Sequence, residues 1–179
     1  MDFVPDNNTI TEELPYFEDV NAALGWAGHS TKKTEEELMA EIAMAIGRLG
    51  GMVNRWVSGS LGERHGYRVL FNLQGGASGK IEIIALPIRT KISSAGYETK
   101  KKQAIKMALF NLRNQLQSLW RMQQLIPGYF GLLPMMLMEN TNNTFGQLWI
   151  EHMNVQSLLP APRSNNEEVL DGIFEVVEE

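Results

Sequence analysis

The sequence predicts an α+β fold, in which an antiparallel sheet of about three strands packs against two main helices. Two stretches, 34–49 and 97–125, repeat apolar residues at intervals of three and four, as amphipathic helices do. Three stretches between them alternate apolar and polar residues or are rich in β-branched residues, as strands are. Short glycine-rich turns separate the three, and such turns join antiparallel neighbours.

The chain of 179 residues is long enough for one domain with a proper core, which we place at 32–162. Residues 1–31 lack a sustained period and predict an N-terminal arm with a short helix over 17–26, docked by Phe17, Val20, Leu24 and Trp26. The arm packs on the domain or, alternatively, binds a neighbouring subunit. Residues 163–179 form an acidic tail, either disordered and solubilising or a docking peptide for a protein partner or the basic helix.

The first helix carries its own start and stop signals. Thr34 with Glu37 predicts a capping box, and the acidic residues of the first turn suit the positive end of the helix dipole. Its apolar stripe is Leu38, Ile42, Ala45, Ile46 and Leu49. The pair Gly50 and Gly51 predicts its end.

The strands are predicted at 52–57, 67–73 and 80–88, with a turn region over 58–66 and a flexible turn over 74–79. Pro87 cannot donate to a strand ladder, so it indicates an edge or the end of a strand.

The long helix at 97–125 has two unlike faces. One stripe is apolar and predicts a core contact: Ile105, Leu109, Leu112, Leu116 and Leu119. The other is cationic with one aromatic residue: Lys102, Lys106, Phe110, Arg113, Gln117 and Arg121. After Pro127 and Gly128 end it, extra C-terminal helices are predicted, a short buried one over 132–138 and one from Phe145 to about Met153 behind a capping box of Thr144 and Gln147.

Catalytic and metal-binding patterns are not found. The chain has no cysteine, which excludes disulfides, thiolate metal sites and thiol nucleophiles. Its three histidines are far apart without partners at metal-ligand spacing, and neither a Gly-x-Ser-x-Gly elbow nor a phosphate loop is present. We therefore expect a non-enzymatic protein without a cofactor. With no signal peptide and no apolar run long enough for a membrane span, we expect a cytoplasmic location and no membrane partner.

Charge is distributed unevenly along the chain. The net charge of −5 is the sum of −7 over residues 1–50, +2 over 51–79, +7 over 80–121 and −7 over 122–179. The basic residues that collect at the start of the long helix and along it predict contacts to phosphates, with little base reading: Arg89, Lys91, Lys100, Lys101, Lys102, Lys106, Arg113 and Arg121. Phe110 and Trp120 are candidate stacking faces. The alternative is a solvated face, or one that pairs with the acidic ends.

The order helix, three strands, long helix, with residues 96–104 opening the last helix, resembles double-stranded-RNA-binding domains. Lys101, Lys102, Gln103 and Ala104 match the Lys-Lys-x-Ala pattern that faces phosphates in that family, and Ile105 stands where another lysine is expected. The same order is similar to the core of phage-type single-strand annealing proteins, which form rings on DNA. Either resemblance covers about 34–125 and implies nucleic-acid binding.

The predicted function is non-enzymatic binding of single- or double-stranded nucleic acid, as a phage or mobile-element recombination or replication accessory and as a homo-oligomer. The alternative is a structural or assembly protein that oligomerises through apolar and charge-complementary surfaces. It depends on a surplus of apolar residues: Trp26, Phe110, Trp120, Tyr129, Phe130, Met135, Met136 and Met138.

Overall fold

The computed structural model describes residues 14–73, 76–89, 94–138 and 143–148. Its main elements follow the predicted order: α1 (Glu35–Arg48), β1 (Gly51–Leu61), β2 (Arg64–Leu73), β3 (Ser78–Ile84) and α2 (Ser94–Leu125). Short 3-10 turns occupy Phe17–Asp19, Ala22–Leu24 and Leu133–Met135. The predicted α+β class is confirmed, with a three-stranded antiparallel sheet against two main helices.

The strands form an antiparallel meander in the order β1-β2-β3, with Val69 opposite both Trp56 and Ile81. The prediction of a turn region over 58–66 was wrong, because strand pairing continues through it to Leu61 and Arg64. The glycines in this region lie in the ladder rather than breaking it, since Gly59 pairs with Gly66. The turn is only Gly62 and Glu63, and Gly62 has the positive φ of 60° that such a tight connection favours. The third strand ends at Ile84, four residues before the predicted end.

The main core lies between one face of the sheet and the two helices. Both predicted helical stripes supply it, together with alternate residues of the strands, and its largest fully buried side chains are Leu38, Ile42, Ile46, Leu49, Val69, Phe71, Leu109, Leu116 and Leu132. Phe71 lies directly opposite Gly79, where a Cβ atom would come within 2.3 Å of its ring. The aromatic ring therefore fills the space that a side chain on β3 would take.

A second, smaller cluster attaches the N-terminal segment. Phe17 and Val20 are buried against Leu86 and Met107, and the Phe17 N–H donates to the Pro87 carbonyl at 2.8 Å. The helix predicted over 17–26 is instead two 3-10 turns, and Leu24 is 63% exposed rather than docked. A turn of 3-10 helix at Ala22–Leu24 follows from the Asn21 side chain, which accepts from two backbone N–H groups and ends the preceding extended segment.

Three predicted helix boundaries are found in the structure: two N-terminal capping boxes and the C-terminal end of α2. Thr34 and Glu37 form the reciprocal capping box of α1, with bonds of 3.2 and 2.7 Å. Thr144 and Gln147 form the second box, and residues 145–148 are helical; the rest of that helix falls outside the described residues. The long helix ends at Leu125 as predicted.

The segment after α2 differs from its prediction. Within residues 126–138, only Leu133–Met135 is helical, as a 3-10 turn, and Met136 then bridges to Gly79 of β3. The prediction of a short buried helix over 132–138 was therefore wrong, because the chain after Met135 pairs with the edge of the sheet instead of continuing a helix. The acidic tail at 163–179 lies outside the described residues.

Candidate nucleic-acid interface

The lysine row Lys100, Lys101 and Lys102 lies in the second and third turns of α2. The helix begins at Ser94, three residues before the predicted start, so the lysines do not occupy its first turn. The backbone N–H groups left free by the helix start belong to residues 94–97. The row therefore contributes point charges along the side of the helix, away from the free N–H groups of its first turn.

The segment 14–31, here called the N-terminal strap, covers one side of α2. Three α2 side chains donate to its carbonyl oxygens: Gln103 to His29 at 2.6 Å, Asn111 to Ala27 at 2.7 Å, and Lys106 to Thr31 at 3.4 Å. Gly28, with φ of 87°, lies so near Phe110 that a Cβ atom there would be 2.6 Å from the ring. The predicted cationic stripe therefore meets the protein's own backbone around Lys106 and Phe110.

The two predicted stacking faces each already contact a guanidinium. Arg113 lies 4.4 Å from the Phe110 ring centroid, and Arg48 lies 5.3 Å from that of Trp120. Both distances are within the range of cation–π attraction. A base could stack on the ring face that Arg113 or Arg48 covers only by replacing that contact.

Two acidic residues of the strap pair with predicted phosphate ligands. Lys100 Nζ lies 3.0 Å from Glu18 Oε1, and Arg89 pairs with Asp19. Burial acts to raise the pKa of Glu18, but the hydrogen bonds from Lys100 and from the Arg89 backbone N–H outweigh it, so its pKa lies below the ordinary value. Glu18 is therefore a carboxylate at neutral pH. The alternative in which basic residues pair with an acidic end accounts for these two residues.

Lys101 lies over the hairpin end of the sheet. It shares a pocket of about 270 Å³ with Ser58, Ser60, His65 and Tyr67, which all belong to the helix-facing side of β1 and β2. Lys101 keeps 25% of its side chain exposed, and its Nζ is 4.0 Å from Glu98. The two serines and His65 were not among the predicted site residues, because residues 58–66 were predicted to form a turn region. If 58–66 had been predicted as a continuous hairpin, the alternation of side chains along its strands would have placed Ser58, Ser60, His65 and Tyr67 on one face of the sheet.

The surroundings of His65 favour its neutral form. Burial lowers its pKa below the ordinary value, and the nearby Lys101 ammonium lowers it further, while Glu98 acts in the opposite direction. A neutral imidazole can donate or accept one hydrogen bond at each nitrogen. The pocket therefore combines one cation with neutral hydrogen-bonding groups, an arrangement suited to a phosphodiester or sugar hydroxyl.

The remaining predicted ligands are spread out. Lys102 is exposed and lines a groove of about 500 Å³ with Lys106, while Glu35 and Glu36 of α1 line it as well. Arg121 is exposed near the far end of α2. Arg113 is largely buried beside Glu41, and Lys91 lies outside the described residues. Lys101 and Lys102 are neighbours in sequence but line different pockets, and Arg113 and Arg121 lie three or more turns further along the helix.

Within the described residues, no group of three or more histidine, aspartate or glutamate side chains is placed to hold a metal ion. No described helix combines the length and the apolarity that crossing a bilayer requires.

Comparison of the chain with protein-family models, with curated proteins and with solved structures gives no match. The resemblances to double-stranded-RNA-binding domains and to annealing proteins stay predictions.

Proposed function

We propose that the protein is a non-enzymatic nucleic-acid-binding protein that holds the phosphate backbone against Lys101, Lys102 and the hairpin end of the sheet. The observation that supports this most directly is the pocket in which Lys101 meets Ser58, Ser60 and His65. One lysine with neutral donors suits a phosphate and its sugar, while the exposed Lys102 adds a second contact nearby. A cytoplasmic location and a recombination or replication role belong to the same proposal.

The proposal also implies a limited electrostatic footprint. Each phosphate neutralised on B-DNA lowers the logarithm of the binding constant by about 0.9 per unit of log salt concentration. Lys102 and Arg121 have no ion-pair partner among the described residues, and Lys101 has one only at 4.0 Å, the exposed Glu98. Lys100 and Arg89 have closer partners in Glu18 and Asp19. We expect a slope of about −3 for contacts by Lys101, Lys102 and Arg121. The slope should steepen to about −5 if Lys100 and Arg89 also exchange their carboxylate partners for phosphates.

The test is a fluorescence anisotropy titration of labelled single- and double-stranded oligonucleotides at several salt concentrations. Lys101→Glu with Lys102→Glu should remove binding while thermal unfolding stays normal. The control is Arg55→Glu, because Arg55 is exposed on the sheet face opposite the helices and its reversal should leave most of the affinity. Equal losses of affinity in both variants would mean that only net charge matters. Unchanged binding in the double variant would refute the proposal.

Self-assembly is the second candidate, and an exposed apolar group at the end of α2 favours it. Leu125 is 75% exposed, with Ile126 at 42% and Met122 at 41%. The residues named in the sequence analysis are a weaker basis, since Trp26, Phe110, Trp120, Phe130, Met135 and Met136 pack against the two core clusters. Sedimentation at several concentrations, with and without oligonucleotide, separates the roles: an oligomer indifferent to nucleic acid favours assembly.

A further inference from the structure

A small pocket lies in the groove between α1 and α2, away from the hairpin end of the sheet. It has a volume of about 180 Å³ and is lined by Glu41, Met44, Ala45 and Arg48 of α1 and by Arg113 and Gln117 of α2. At roughly 30 Å³ per water molecule, this volume holds about six waters. A small polar group with part of its hydration shell therefore fits.

Arg113 is the central side chain of this pocket. Only 15% of it is exposed, and its guanidinium stacks on the Phe110 ring at 4.4 Å. Its Nε lies 3.4 Å from Glu41 Oε2, yet both atoms are buried and neither makes a hydrogen bond in the part of the chain that the structure describes. The two groups therefore pair by charge without the hydrogen bond that a buried ion pair needs for stability, which leaves the Arg113 guanidinium short of an acceptor.

The pocket carries an excess of positive charge. Glu41 is the carboxylate that lines it, and its other oxygen, Oε1, pairs with Lys33. Arg48 supplies a second guanidinium, positioned over Trp120. The charged groups that line the pocket, Arg48 and Arg113 against Glu41, sum to one positive charge, and Lys33 offsets the Glu41 charge from outside the lining, so the pocket favours an anion.

We propose that this pocket binds a phosphate group, held by Arg113 and Arg48 with the Gln117 amide as an additional donor. A guanidinium already stacked on an aromatic ring loses little freedom when it engages two oxygens at once, and its planar fork matches a tetrahedral oxyanion. The phosphate either is free or belongs to a nucleotide chain. The pocket does not depend on the hairpin site, since it shares no lining residue with it.

The experiment measures phosphate binding to the full chain by isothermal calorimetry, with chloride at equal ionic strength as the reference. Inorganic phosphate, a nucleoside 5′-monophosphate, and one oligonucleotide with and without a 5′-phosphate are the probes. We expect saturable binding to at least one probe. Two variants, Arg48→Ala and Arg113→Lys, should each weaken it about tenfold or more, the second because lysine keeps the charge but not the fork. Arg55→Lys, on the exposed sheet face opposite the helices, is the control and should change little.

The outcomes distinguish a free phosphate from a phosphate in a nucleotide chain, and they test this pocket separately from the hairpin site. Binding of free phosphate that both variants weaken supports a pocket for a small phosphate compound. Binding confined to oligonucleotides, and weakened by both variants, supports a chain phosphate. No saturable binding of any probe, or binding that neither variant alters, overturns the pocket. If an oligonucleotide binds but neither variant alters its binding, Lys101→Glu with Lys102→Glu still tests the hairpin site independently. Arg48→Ala keeps the test valid if Arg113→Lys unfolds, because Arg48 is exposed.

Discussion

Gly66 is the position at which one added methyl group should damage this fold most. A Cβ atom there would lie 1.9 Å from the Ile83 carbonyl oxygen and 2.9 Å from the Ile84 Cα atom. Ordinary contacts begin at about 3.4 Å, so the β3 backbone would have to retreat by about 1.5 Å. That retreat breaks ladder bonds around the pair of Gly66 and Ile84 and leaves their buried groups unpaired. Two lost bonds with unsatisfied partners amount to about 4 kcal/mol, at the severe end for a single substitution.

The assay is urea and thermal unfolding of Gly66→Ala beside a matched substitution, Gly47→Ala. Gly47 lies in α1, and nothing lies within 4 Å of the place that an added Cβ atom would take, so alanine should stabilise by up to about 1 kcal/mol. In a chain of this size, the melting temperature should fall by about 10 °C for Gly66→Ala and rise by about 2 °C for Gly47→Ala. A Gly66→Ala variant that melts within about 2 °C of the parent would refute the close approach of β2 and β3.

Two further predictions concern α1 and its contact with the sheet. Thr34→Ala removes half of the capping box and should lower the free energy of unfolding by about 1 kcal/mol in urea denaturation; an unchanged midpoint would contradict it. Burial and the hydrogen bond to Glu35 raise the pKa of Tyr67 to about 12, so its stabilisation is full below pH 10 and is lost as pH rises through about 12. Absorbance titration should show one late tyrosinate step that Tyr67→Phe removes, and coincident titration of all tyrosines would contradict this.

Local chemistry accounts for what the sequence predicted well. The capping boxes of Thr34 and Thr144 need only residues three positions apart, and the stripe around Leu109 and Leu116 needs only the helical period. The prediction of a turn over 58–66 was wrong because strand formation there depends on pairing with a neighbouring strand. Gly59 and Gly66 each discourage a strand, yet they pair with each other in the ladder of β1 and β2, and Gly66 also lets β3 approach β2. No local propensity contains that pairing.

The candidate site was predicted as a list of charges, and the structure sorts that list by environment. Net charge over 80–121 indicated eight ligands but could not show that Glu18 and Asp19 reach two of them across some seventy or eighty positions of sequence. Nor could it show that the Thr31 carbonyl oxygen of the strap accepts a hydrogen bond from Lys106. Backbone acceptors carry no signal in the sequence. Long-range pairing, rather than composition, therefore decides which cations remain for a ligand.

The acidic strap should reduce the affinity for nucleic acid without preventing binding. Its pairs to Lys100 and Arg89 are partly solvated, with 38% and 56% of the basic side chains exposed, and such pairs contribute about 0–1 kcal/mol each. A phosphate can replace Glu18 or Asp19 at that cost, because the exchange needs only side-chain motion. Displacing the strap itself would expose Phe17 and Val20, which are buried, and would cost several times more. The strap therefore stays in place while its carboxylates yield to phosphates, which is why the expected salt slope lies between about −3 and −5.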